Sequence, residues 1–175
     1  YGKVRSSHAL AAPLPFVLYS DYYDHAGFVR ALANSGFCGH LWQPEVRNCA
    51  SVADLLRRTQ TAVFSPQTVI DSWFLRLPPW LQIDTDKNNA GELMPDHEAV
   101  TARVRKLLEM RMRLVPYLYG AFLDYHRTGT PPFRAVVMDY PDDKNTHPLD
   151  SAYMMGPSLL VAPLFGEATT RKLWL

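Results

Sequence analysis

The sequence predicts an α/β protein with parallel strands. Short apolar runs end abruptly in polar residues, at Phe16-Val17-Leu18-Tyr19 before Ser20-Asp21, at Leu41-Trp42 before Gln43-Pro44-Glu45, and at Val136-Val137-Met138 before Asp139. Helical patterns separate these runs, and βα alternation is the mark of a parallel sheet. The chain has 175 residues, of which 47% are apolar, so it can bury a core.

The elements follow in order. A continuous apolar run predicts a buried strand over 15–20. Asp24 is placed to cap a helix over about 25–34, which Asn34-Ser35-Gly36 ends. A second short strand spans 36–42, where glycines suggest close backbone approach, and 43–48 is its polar loop. Ser51 caps a helix over about 52–63, broken at Phe64-Ser65-Pro66. Residues 76–96 read as a surface loop. The strongest helix runs from about 96 to 127, with Leu107, Leu108, Leu114, Val115, Leu118, Phe122 and Leu123 on one broad face. Asp96 and Glu98 suit the positive end of its dipole. Pro116 predicts a kink, and Gly129-Thr130-Pro131-Pro132 a stop. Strands over 133–138 and 158–165 complete the pattern.

Composition excludes several classes of function. The formal charge is +1 without a basic tract, which argues against nucleic acid or an anionic membrane as partner. No apolar run approaches the length of about 20 residues that crosses a bilayer. Cys38 and Cys49 lack metal-ligand spacing and are expected to be small buried thiols. His25, His126 and His147 show no paired spacing, so no metal and no cofactor are expected. The chain opens on Tyr1-Gly2-Lys3 and closes on Leu173-Trp174-Leu175, and is expected to be a piece of a longer protein. Such a piece is expected to be poorly stable alone, with exposed sheet edges.

In open α/β sheets and (β/α)8 barrels alike, chemistry sits at the C-terminal ends of the strands. An acid at that position, such as Asp21 or Asp24, is a catalytic candidate. The alternative is that either one only caps the next helix.

Several phrases together resemble glycoside hydrolase family 31, the α-glucosidase and α-xylosidase group. Leu107-Leu108-Glu109-Met110-Arg111-Met112-Arg113-Leu114-Val115-Pro116-Tyr117-Leu118-Tyr119 is similar to its LRxRLxPYLY helix. Gly129-Thr130-Pro131-Pro132-Phe133-Arg134 with Tyr140-Pro141-Asp142-Asp143 is similar to its GxPxxRPL…PDD phrase. Tyr153-Met154-Met155-Gly156-Pro157-Ser158-Leu159-Leu160-Val161-Ala162-Pro163 is similar to its YMLGxxLLVAPV phrase. Ser35-Gly36-Phe37-Cys38-Gly39 and Phe64-Ser65-Pro66 match in the same order. The resemblance spans nearly the whole chain.

The resemblance implies a partial (β/α)8 TIM barrel, about strands six to eight, running into the start of a β-sandwich domain. Residues 1–157 would be barrel and 158–175 the start of the next domain. It also implies retaining hydrolysis of α-glycosides by two carboxyls about 5–5.5 Å apart. The nucleophile's strand would precede this chain, leaving here the general acid/base half of the site. Asp21 matches the family's acid/base, with Asp24 in reserve. Nearby Tyr19, Tyr22 and Tyr23 would help raise its pKa. Arg5 matches a sugar-binding arginine. Trp42, Glu45 and Arg47 take the place of the WSHDIGGF loop, with Arg47 able to pair Glu45. Asp71 stands where the family has a sugar-binding His, and Val69 where it has Arg. The implied partner is a glycoside or oligosaccharide. These departures motivate an alternative, a catalytically silent carbohydrate-binding relative. Lyase or transglycosylation chemistry on the same residues is a weaker third reading.

Overall fold

A computed structural model of the chain describes residues 2–5, 14, 16–19, 24–43, 45–47, 49–70, 74–166 and 168–173. Strands β1 (Gly2–Val4) and β2 (Phe16–Leu18) pair in parallel, with Val4 opposite Leu18. Helix α1 (His25–Ser35) then leads to residues 41–46. Leu18 bridges Trp42 in parallel, its N–H bonding the Leu41 carbonyl at 2.8 Å and its carbonyl accepting from the Gln43 N–H at 2.8 Å. Glu45–Val46 form β3, helix α2 follows over Val52–Val63, and β3 pairs in parallel with β4 (Val69–Ile70). Residues 41–46 thus stand between β2 and β4, and the helices serve as crossovers.

Local chemistry starts both helices where the sequence predicts. The Asp24 carboxylate accepts from the Gly27 N–H at 2.7 Å, and the Ser51 hydroxyl accepts from the Asp54 N–H at 3.1 Å. Phe28, Val29, Leu32 and Ala33 of α1 are buried. Val29, Leu32 and Ala33 share one core with Val17, Leu41, Phe133, Tyr153 and Met155.

The strand expected over 36–42 is instead a tight 3-10 turn at Gly36–Cys38 followed by Gly39 at φ 68°. Side-chain-free backbone dictates this. A Cβ on Gly36 would lie 3.0 Å from the Phe133 carbonyl oxygen and 3.1 Å from Arg134 Cα, so only glycine lets the two chains approach so closely. The Tyr125 hydroxyl donates to the Gly39 carbonyl and holds the turn against the long helix. The polar loop expected over 43–48 contains β3, and Gln43, Glu45 and Val46 in it are buried.

The surface loop expected over 76–96 contains a short helix, α3 (Thr85–Ala90). Its organiser is Asn88, fully buried. The Asn88 side chain accepts from the Leu77 N–H at 2.8 Å and donates to the carbonyls of Leu77 at 3.0 Å and Gln82 at 2.7 Å. Met94 joins Val46, Leu55, Ala62, Val100 and Val104 in a second core, with Trp80 and Ile83 packed against it.

Helix α4 (His97–Thr128) is helical on both sides of Pro116 and ends at Gly129, φ 78°. Its expected apolar face is only partly covered. Of its seven residues, Leu118 is buried, Leu107, Leu108, Leu114, Phe122 and Leu123 are half-buried and Val115 is exposed. Val100, Val104 and Ala121 are buried beside them, and Met112 and Tyr119 are 69% and 73% exposed. Arg111, half-way along, donates to the carbonyls of Val63 at 2.8 Å, Ser65 at 2.6 Å and Pro66 at 2.8 Å. These acceptors lie at the end of α2, where helix carbonyls lack intrahelical partners.

The third strand expected over 133–138 is corrected. Phe133–Ala135 form β5, and Val136–Met138 a 3-10 turn. Strand β5 pairs antiparallel with β6 (Tyr153–Met155), which pairs antiparallel with β7 (Leu159–Val161). The turn after β5 is locked by Arg134, whose guanidinium forks onto Asp139 at 2.6 and 2.5 Å. No helix intervenes, so the chain returns as a meander rather than a parallel crossover. Gly156 turns the β6–β7 connection at φ 60°. There the Tyr117 hydroxyl of α4 donates to the Met155 carbonyl at 2.7 Å and accepts from the Ser158 N–H at 2.9 Å.

Two outcomes follow. Arg111→Ala leaves three carbonyls short of a donor and lowers the urea-unfolding free energy by about 3 kcal/mol, and Arg111→Lys recovers less than half, because one ammonium lacks the fork. Gly156→Ala would put a methyl carbon 2.5 Å from the Tyr117 hydroxyl and force a left-handed φ on a side chain, so it lowers the thermal midpoint more than Gly129→Ala, where no atom lies within 4 Å of the added carbon.

Candidate functional site

The register brings the C-terminal ends of β1, β2, residues 41–46 and β4 to one edge. Arg5 directly follows β1 and is exposed there. Its guanidinium lies 4.9 Å from the ring centre of Tyr19, the residue after β2, and Lys3 Nζ lies 5.5 Å from the same ring. The Tyr19 N–H bonds the Val4 carbonyl at 3.0 Å, which fixes that ring beside the end of β1. A cation over an aromatic face gains roughly 0.5–1 kcal/mol at an exposed position. Here its larger effect is to orient the arginine fork.

Trp42 is half-buried, and its indole Nε1 is enclosed with no acceptor among the described residues. Glu45 is 2% exposed, on β3 opposite Val69. Between them, Gln43 is buried and tied to the loop after α2. Its Oε1 accepts from the Gln67 N–H at 2.5 Å, and its Nε2 donates to the Ser65 hydroxyl at 3.4 Å. The Arg47 guanidinium lies over the Phe74 ring, 5.0 Å from its centre. Nothing in the sequence announced Phe74, since 27 positions separate it from Arg47. Asp21 and Asp71, the acid/base and sugar-pocket candidates, lie outside the described residues. Asp24 is described, and its carboxylate is occupied in capping α1.

His25, the first residue of α1, is structural. Its Nε2 meets the Thr61 hydroxyl at 2.6 Å, and its ring meets Phe165 edge-on at 5.0 Å. Burial pushes its pKa down to about 4, helped by the Arg58 charge and opposed by Asp54 and Asp24. Cys49 is half-buried, and burial pushes its thiol up to about 12. Cys38 is exposed, against the expectation that both thiols are buried, because it sits on the outward side of the 36–38 turn. No group of three or more His, Cys, Asp or Glu that could hold a metal occurs among the described residues.

The profile of the glycosyl hydrolase family 31 C-terminal domain matches residues 129–175. An alpha-xylosidase of Emericella nidulans is 45% identical over 64 residues, 37% of this chain and 8% of that protein. Residues 129–175 thus match the C-terminal domain of glycoside hydrolase family 31, and the chain is similar to enzymes of that family. Alpha-glucosidase 2 of Bacillus thermoamyloliquefaciens is 36% identical over 69 residues, 39% of this chain and 9% of that protein. The matches therefore span less than a tenth of these curated relatives. In fold, the chain is similar to a family 31 alpha-xylosidase from a soil metagenome, solved with xylose. The TM-score is 0.67 at 25% identity, over 91% of this chain and 27% of that one.

The low pKa of His25 sets a pH dependence. The unfolded imidazole takes up a proton near 6.5, whereas the folded one resists until about 4. Stability is therefore complete above pH 6.5 and falls by about 3 kcal/mol as pH drops to 4. Urea midpoints at pH 7.5 and 4.5 measure this, and in His25→Gln that part of the difference disappears.

Proposed function

We propose that this chain serves in a retaining α-glycoside hydrolase as the part that carries the general acid/base. The observation that carries the reading is the common edge. Arg5 follows β1, Trp42 pairs with Leu18 at the end of β2, and Glu45 and Arg47 open and follow the two-residue β3, close to the strand ends where such folds gather their catalytic groups. The family 31 domain match over residues 129–175 and the sugar-acting relatives support it. In this reading β1 to β4 are an arc of a (β/α)8 barrel. The β5–β7 meander then opens the β-sandwich domain, whose boundary we draw near Gly129 rather than at 157/158. The start of the antiparallel sheet and the reach of the C-terminal-domain match support that placement.

The chemistry assigns each residue a task. Asp21 delivers a proton to the leaving glycosidic oxygen and then takes one from water. A carboxylate nucleophile from elsewhere in the full protein attacks the anomeric carbon. Arg5, held over Tyr19, offers a planar fork of donors to sugar hydroxyls. Trp42 offers an indole N–H or a stacking face, and Glu45 and Asp71 accept from hydroxyls. The substrate is an α-glucoside, α-xyloside or α-galactoside.

The test is a panel of chromogenic α-glycosides against the full-length gene product. Turnover is expected, and Asp21→Asn is expected to lower kcat by about a thousandfold. Sugar binding without turnover, or an Asp21→Asn variant of unchanged kcat, would favour the silent binding relative.

A further inference from the structure

We propose that Gln43 is a positioning residue for the candidate site, setting where Trp42 and Glu45 stand at the strand edge. This rests on the carbohydrate function proposed above and goes on to say what holds the sugar-contacting groups in register. Gln43 lies between Trp42 and Glu45 in sequence and is 1% exposed. A buried side-chain amide is costly unless its polar atoms are met, and an apolar side chain of similar length would fill the space without that cost. One neighbouring stretch meets both ends of this amide. Its Oε1 accepts from the Gln67 N–H at 2.5 Å, and its Nε2 donates to the Ser65 hydroxyl at 3.4 Å. The first bond carries more of the hold, since the second is long for a hydrogen bond.

Both partners are themselves fixed. Ser65 is buried, and its hydroxyl lies 2.7 Å from the Ala62 carbonyl oxygen and 2.8 Å from that of Gln67. Arg111 donates to the carbonyls of Ser65 and Pro66. The Gln43 side chain is therefore bonded to a stretch that the long helix anchors from its far side. Its backbone reaches the other way, its N–H bonding the Leu18 carbonyl at 2.8 Å. One residue thus ties together three segments: β2, which leads in sequence to Asp21, the segment bearing Trp42 and Glu45, and the approach to β4, which leads to Asp71. A satisfied buried amide selects one arrangement of the segments it joins, which an apolar side chain does not. Gln43 is itself too buried to meet a sugar. Loss of the amide shifts Trp42 and Glu45 and removes no reacting group, so its effect falls on binding.

The experiment measures kcat and KM of the full-length gene product on p-nitrophenyl α-D-glucoside and α-D-xyloside. The variants are Gln43→Met, Gln43→Glu and a remote control, Tyr117→Phe, which loses its bonds at the β6–β7 turn. Gln43→Met is expected to raise KM about tenfold and to leave kcat within about twofold. Gln43→Glu keeps an acceptor for the Gln67 N–H, and its KM is expected to lie between those of Gln43→Met and the unaltered protein. Tyr117→Phe lowers the thermal midpoint and leaves KM unchanged. An unchanged KM in Gln43→Met, or a fall in kcat matched only to the loss of folded protein, overturns the proposal. If Gln43→Met fails to fold, Gln43→Glu decides it, a raised KM supporting the proposal and an unchanged one overturning it. If the product binds sugar without turnover, the Kd for D-glucose or D-xylose from titration calorimetry takes the place of KM. A weakening of about tenfold then keeps the role of Gln43 and removes the hydrolase reading. Turnover with KM unmoved removes only the role of Gln43, and the absence of both turnover and sugar binding overturns both.

Discussion

The Arg111 guanidinium is the constraint on which the rest of the molecule depends. Three carbonyls that close α2 converge on it, and the Tyr153 hydroxyl takes a fourth from the same stretch, bonding the Phe64 carbonyl at 2.8 Å. The stretch 63–67 would otherwise be a helix end buried against two other elements with its acceptors unmet, at a penalty of about 1–3 kcal/mol for each such group. Through it, α4 fixes where α2 stops, and so where β4 begins. Gln43 reaches the same stretch from the other side, so the position of Trp42 and Glu45 at the strand edge depends on it as well. Desolvation lowers the Arg111 pKa, and the neighbouring Tyr153 opposes that shift without cancelling it.

The phrases that make the sequence recognisable touch one another in space. Tyr117, from the helix phrase, is bonded across the turn of Met155-Gly156-Pro157-Ser158, from the strand phrase. Gly36, from a third phrase, lies against the backbone of Phe133 and Arg134 in a fourth. Each is a close backbone approach or a buried polar contact, where substitution is least tolerated. Their repetition together reports packing as much as chemistry.

Much of the fold was legible because its signals were local. Asp24, Ser51 and Gly129 mark helix ends by chemistry within four residues, and those ends fall where the sequence placed them. What escaped was decided at long range. The 36–42 strand was lost to an approach between Gly36 and β5, almost a hundred positions away. Residues 133–138 looked like another parallel strand because nothing in Phe133-Arg134-Ala135 tells a parallel neighbour from an antiparallel one. The partner strand Tyr153–Met155 supplies that information. The 76–96 segment hid its order in one polar residue, Asn88, whose burial is invisible in composition. At the candidate site, Arg5, Trp42 and Glu45 were named from the resemblance to family phrases and not from a local pattern. The seating of Arg5 on Tyr19 and Arg47 on Phe74 was not legible, since ring contacts leave no periodic trace.

The core that joins Val17 and Leu32 to Phe133, Tyr153 and Met155 has a consequence for inheritance. A change of sheet type divides this chain near Gly129, yet no seam in packing follows the division. A recombination event that exchanged the segment after Gly129 for one from a distant relative would import half of an apolar interface and orphan the other half on α1. The two parts therefore depend on each other for burial, and the loops at the strand edge are where side chains can differ without disturbing that shared interior.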